Sequence, residues 1–172
     1  MLDDLLAANR SWAAGFDLGG LGSSAAAGLA IVTCMDVRID PLSAFGLRPG
    51  DANVIRNAGA RVTGDALRSL AMATAFLGVR EIAVVQHTGC AMAGRSDDDV
   101  RAALPPEIGA RSGGWDFLAM LDPEAALAAD VERVRTCALI PAGVRVEGWR
   151  YDVQTGLLDP VVPAATTTGP GA

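Results

Sequence analysis

With 172 residues, 51% of them apolar and 20% charged, the chain is the size of one domain with room for a real core. A net charge of -6 excludes a general nucleic-acid role, because phosphate binding needs a basic field. All 14 cationic side chains are arginine, which rules out a phosphate-loop or Schiff-base lysine.

The opening Met1-Leu2-Asp3-Asp4 is acidic where a secretory leader is basic, so the chain is expected in the cytoplasm. Apolar stretches are broken well short of a membrane span. Residues 2 to 14 predict an amphipathic helix. Leu29 to Thr33 is a short apolar run without alternation, as in a strand covered on both faces, and Ala52 to Arg56 is a second candidate strand. Leu67, Leu70, Ala71, Thr74 and Leu77 recur at helical spacing, with Gly78 at the C-terminal cap. Glu81 to Gln86 repeats the apolar strand pattern. Strand, helix and strand in that order imply a right-handed crossover and a parallel sheet.

Asp97, Asp98 and Asp99 fit the exposed first turn of a short helix running toward Leu104. The Pro- and Gly-rich stretch 105 to 114 reads as a loop. Asp122 is a plausible N-cap with Pro123 at the first helical position, and the helix runs to Cys137. Val144 to Trp149 reads as a strand, and Tyr151 to Leu158 as a strand with a turn at Thr155-Gly156. The fold expected is α/β, a mainly parallel central sheet flanked by helices. Residues 1 to 160 form one domain, and 161 to 172 a disordered tail.

The first strand runs into Cys34-Met35-Asp36-Val37-Arg38 and the later one into His87-Thr88-Gly89-Cys90. Sites in open parallel sheets form beyond the carboxyl ends of the strands, so the one histidine and two of the three cysteines reach the same edge. Two thiolates and an imidazole suit zinc, and three protein donors leave one position free for chemistry. Cys137 is the remaining cysteine and reads as a buried thiol. Asp36 and Arg38 follow Cys34 at alternate positions, so all three face one way in an extended segment. Arg38 can grip the Asp36 carboxylate with two prongs, leaving Asp36 to orient a zinc-activated water or to compete for the metal. Arg56 and Arg61 are candidates for attracting an anion or for structural ion pairs. With His87 used as a ligand, no histidine remains as a proton shuttle, and protons must leave through water, Asp36 or buffer.

Cys34-x-Asp36-x-Arg38, Arg56-Asn57-Ala58-Gly59-Ala60 and His87-x-x-Cys90, with His87 53 residues after Cys34, together resemble the motif series of β-class carbonic anhydrases. The sequence is similar to the short bacterial branch of that family, and Gly148-x-x-Tyr151-Asp152-x-x-Thr155-Gly156 resembles its closing strands. The resemblance implies one zinc ion per chain on Cys34, His87 and Cys90, Asp36 and Arg38 as catalytic residues, and reversible hydration of carbon dioxide to bicarbonate. It also implies a homodimer or tetramer in which the N-terminal helix embraces the neighbour. Hydrolysis of carbonyl sulfide or carbon disulfide at the same site is the nearest alternative, and a catalytically silent zinc or bicarbonate-binding domain is another. Val37 stands where the family often has Ser, and Ala91 where Gly usually follows the second cysteine.

Overall fold

The two apolar runs do become neighbouring strands. In the computed structural model, which describes residues 2–169, β1 (Leu29–Cys34) and β3 (Glu81–His87) pair in parallel, from Leu29 opposite Glu81 to Thr33 opposite Val85. The sheet has five strands in the order β2-β1-β3-β4-β5, with β2 at Ala52–Asn57, β4 at Arg145–Tyr151 and β5 at Leu158–Thr166. The first four are parallel and β5 is antiparallel to β4. β1 and β3 therefore end together at one edge, and each hands its next residues to the same place.

Two helices cover one face. Helix α3 (Gly64–Phe76) supplies Leu70, and helix α6 (Pro123–Arg135) supplies Leu127, Val131 and Val134, to a core shared with Val32, Val84 and Val146. Their starts follow the cap logic: Thr63 accepts from the Ala66 N–H at 3.1 Å and Asp122 from Ala125 at 3.0 Å. The other face carries Ile31, Ala83 and Val85 with Phe45 and Trp149, behind the short helix α2 (Pro41–Ala44). Helix α1 (Leu2–Ala13) leaves Leu2, Leu5, Leu6 and Trp12 exposed. No helix among the described residues is long and apolar enough to cross a membrane.

Helix α4 (Asp97–Ala103) starts at the aspartate triplet as expected, with Ser96 as N-cap in a reciprocal capping box with Asp99. Asp97 does more than face solvent: it accepts from Phe117 N–H at 2.7 Å and Ala119 N–H at 2.9 Å, tying the return segment to the helix start. These two donors hold its carboxyl below the ordinary carboxylate value. One helical turn, α5 (Pro106–Gly109), interrupts the stretch expected to be a loop.

The expectation of a disordered tail from residue 161 is corrected in part. Residues through Thr166 belong to β5, and Val161 and Val162 pack on the main core. Thr167 is buried, donating to Pro141 O and accepting from Val144 N–H, while residues 170–172 lie outside the described part. Pro163, whose segment suggests disorder by composition, and Pro160 are tolerated because β5 is an edge strand. The strand expected at Tyr151 to Leu158 is instead the end of β4, a turn and the first residue of β5.

Gly148 sets how close these layers sit. A methyl at its Cα would lie 2.9 Å from Val162 Cβ and 3.0 Å from Val131 Cγ2, between β5 and α6. Gly148→Ala is expected to lower unfolding free energy by about 1–3 kcal/mol through overpacking, read from urea titration. An unchanged midpoint would mean that the layers relax freely.

Candidate metal centre

At the carboxyl edge, Cys34, His87 and Cys90 converge, with their ligand-type atoms all within 4.8 Å of one another. All three are buried. Cys34 is the last residue of β1 and His87 the last of β3, so strand pairing fixes both, and the tight turn through Gly89 returns Cys90 beside them. His87 Nδ1 lies 2.9 Å from Thr88 O, so a neutral ring donates there and presents its Nε2 lone pair inward. That Nε2 is buried and has no partner at hydrogen-bonding distance. An orphaned imidazole nitrogen beside two thiols fits a soft divalent metal, zinc above all.

The sulfurs and the ring perturb one another. Cys34 is held well below the ordinary thiol value, chiefly by the Cys90 S–H, with help from His87 and from the backbone N–H groups of Asp36 and Gly59. Cys90 is pushed up in return, because its proton is held by the Cys34 sulfur and burial disfavours a second thiolate. The Cys34 sulfur also raises His87.

Asp36 and Arg38 take up the arrangement their alternation suggests. Arg38 Nε reaches Asp36 Oδ1 at 2.8 Å and Nη2 reaches Oδ2 at 2.7 Å, while the Arg38 backbone N–H adds a third bond at 3.0 Å. These bonds push the Asp36 carboxyl far below its ordinary value, so it is ionised across the neutral range. Asp36 Oδ2 is also 3.9 Å from His87 Nε2, which puts the carboxylate at the border of the three-donor cluster.

Several parts were not legible from the motifs. Arg38 Nη2 donates to Gly89 O at 3.1 Å, binding the Asp36 loop to the His87–Cys90 turn. Arg56 is not an anion receptor in this geometry: Nε donates to Cys34 O at 2.9 Å and Nη2 to Asp36 O at 2.7 Å. Arg61 forms the structural ion pair, at 2.6 Å to Asp130, and also donates to Leu118 O at 2.6 Å. Asn57 brackets the intervening turn by bonding both the N–H and the carbonyl of Arg61. Within that turn Gly59 has φ 77°, a conformation glycine adopts without strain, and its N–H is among the groups that lower the Cys34 thiol. Cys137 lies away from the centre, against the main core.

In front of the cluster is a hollow of about 240 Å³ whose walls are Cys34, Asp36 and Cys90 together with apolar Met35, Ala91 and Met92. Val37 lines it too but is 97% exposed, so a serine there would face solvent in this chain.

Comparison with known proteins gives the same answer from another direction. The family model described as carbonic anhydrase matches residues 29–107, which include every residue of the cluster. The chain is 38% identical to β-carbonic anhydrase 1 of Mycobacterium tuberculosis, across 94% of this chain and 98% of that protein. It is 34% identical to a carbon disulfide hydrolase of Acidithiobacillus thiooxidans, over 76% of this chain and 75% of the relative. The crystal structure of a carbonic anhydrase from Streptococcus mutans superposes with a TM-score of 0.86 at 34% identity, covering 93% of this chain and 96% of the other. With identity at that level over nearly its whole length, the chain is a member of the β-carbonic anhydrase family of enzymes.

Proposed function

We propose that the chain catalyses the reversible hydration of carbon dioxide to bicarbonate and a proton, with one zinc ion held by Cys34, His87 and Cys90. The observation that carries this reading is the buried two-sulfur, one-nitrogen cluster with an unpartnered His87 Nε2, beside a carboxylate that is locked by an arginine. Three protein ligands are the number found at catalytic rather than structural zinc. When bound, zinc supplies Lewis-acid activation of a water molecule.

The chain's own residues do the rest. Asp36 stays ionised and serves as an acceptor that orients the reacting water, and Arg38 keeps both carboxylate oxygens in place so that the acid does not swing onto the metal. Gly89 O and Arg56 fix the two ends of that assembly. Met35, Ala91 and Met92 give carbon dioxide an apolar approach. Protons leave by water, Asp36 or buffer, since His87 is the one histidine of the chain.

The relation to carbon disulfide hydrolases supports a second reading, in which carbonyl sulfide or carbon disulfide is the substrate of the same site. Stopped-flow hydration by zinc-loaded protein, run beside sulfide release from carbonyl sulfide and carbon disulfide, separates them. Carbon dioxide hydration between pH 7 and 9 is expected to be the faster reaction. Faster sulfide release would transfer the assignment to the hydrolase reading.

The exposed apolar stripe of α1 supports a homodimer as the unit of assembly. Sedimentation is expected to give a dimer at micromolar concentration, and the double substitution Leu5→Glu with Leu6→Glu a monomer. A monomeric wild type would remove this part of the proposal.

A further inference from the structure

Two non-glycine residues among those described have a positive φ, Ala60 at 57° and Leu118 at 55°. A side chain disfavours that backbone, which persists only where the surroundings over-determine it, and such residues gather at functional sites. Distant in sequence, the two meet at one side chain. Arg61 directly follows Ala60, and Asn57 clamps its N–H and carbonyl around the Ala58–Ala60 turn. The Arg61 guanidinium donates to Leu118 O at 2.6 Å and to Asp130 on α6 at 2.6 Å, and both charged side chains are largely buried. Each strained residue leads into a wall of the hollow in front of the metal cluster. Ala58 and Gly59, just before Ala60, line it directly. Shortly after Leu118, Met120 donates to Met92 O at 2.8 Å and accepts from Gly94 N–H at 2.7 Å, which fixes the loop that carries Met92. Met92 lines the hollow as well, and Met120 packs with Ala60, Cys34 and Cys90. The two sides close on each other at Gly59, where an added methyl would sit 3.4 Å from both Met120 Cε and Met92 Cβ.

We infer that Arg61, anchored by Asp130, is a positioning residue that sets the gap between the Ala58–Gly59 turn and Met92, and with it the apolar approach to the metal centre, a role that takes its substrate from the hydration reading above. A pair serving stability alone needs only a positive charge opposite Asp130. This one uses the planar fork of arginine to hold a carboxylate and a carbonyl at once, which the point charge of a lysine reproduces poorly. Arg61 and Asp130 neither line the hollow nor belong to the three-donor cluster, so they act through the segments they hold.

The double substitution Arg61→Met with Asp130→Leu removes both charges together, so no buried charge is stranded and the fold is expected to persist. Zinc is expected to stay at one per chain. For carbon dioxide, kcat/KM is expected to fall about 10-fold or more, through KM rather than kcat, because the displaced wall guides the substrate and carries no proton. Arg61→Lys keeps the ion pair and loses the fork, and is expected to show the same rise in KM. Ile82→Ala makes a cavity in the core at the amino end of β3 and is expected to destabilise the protein with KM unchanged. Methionine methyl NMR gives a readout free of activity. The Met92 and Met120 signals are expected to move in the double variant and in Arg61→Lys, with Met72 on α3 unmoved. Wild-type KM in the double variant or in Arg61→Lys would overturn the positioning role, as would an equal rise in Ile82→Ala or unmoved Met92 and Met120 signals. A wild type inactive toward carbon dioxide would remove the hydration reading instead, and the methyl signals would still decide the positioning.

Discussion

His87→Ala is expected to leave a folded protein that no longer holds zinc at equimolar ratio and no longer hydrates carbon dioxide above the buffer rate. His87 ends β3, so truncating it opens space at the sheet edge rather than in the main core around Val84 and Leu127. What is lost is the single nitrogen donor of the cluster. Losing a partner one step removed from a metal costs about 10–100-fold in affinity, and losing a ligand exceeds that. The metal content of purified protein reads this directly. Thermal unfolding gives a second readout: free zinc at roughly 100 times its Kd stabilises the wild type by about 2.7 kcal/mol, and the variant is expected to gain almost nothing. The proton on Cys90, held there by the Cys34 sulfur, must leave when metal binds, so zinc affinity is expected to fall as pH is lowered. Equimolar zinc in His87→Ala would refute the ligand assignment.

Asp36→Asn separates holding the metal from using it. The side chain keeps its shape, but an amide replaces one acceptor oxygen with a donor and loses the charge that both prongs of Arg38 engage. Zinc content is expected to stay at one per chain while kcat falls about 100-fold or more, the usual scale for a positioned acid-base group. The pH dependence sharpens the test. Because Arg38 depresses the Asp36 carboxyl, Asp36 is already ionised well below neutral and stays so as the pH rises. Any rise in wild-type activity above pH 7 therefore belongs to another group, and the variant should keep its midpoint at a lower plateau. Loss of zinc in Asp36→Asn would make Asp36 a ligand instead.

The sequence carried the centre further than the periphery. Cys34, His87, Cys90, Asp36 and Arg38 were legible because each lies within a few residues of a strand end, and strand direction in a parallel sheet determines where such residues arrive. The bonds from Arg38 to Gly89 and from Arg56 to two backbone carbonyls were not, since they join segments 51, 22 and 20 residues apart through atoms every residue possesses. The caps at Thr63, Ser96 and Asp122 follow local rules and sit where such rules put them. Asp97 departed from its expected solvent-facing role because its partners, Phe117 and Ala119, come from a return segment with no local signature. Strand β5 escaped notice for a related reason. Its Pro, Thr and Ala content resembles a tail, and only pairing with β4 makes it a strand.

That composition has a consequence for how the sheet ends. An open sheet offers a row of unused backbone donors along each outer strand, and another chain can extend it there. Pro160 and Pro163 lack two of those donors on the β5 side, which blunts that edge against strand addition. The β2 side has no proline within Ala52–Asn57. Proline thus guards one flank of the sheet only, and the flank without it is the one next to β1 and the first cysteine of the metal centre.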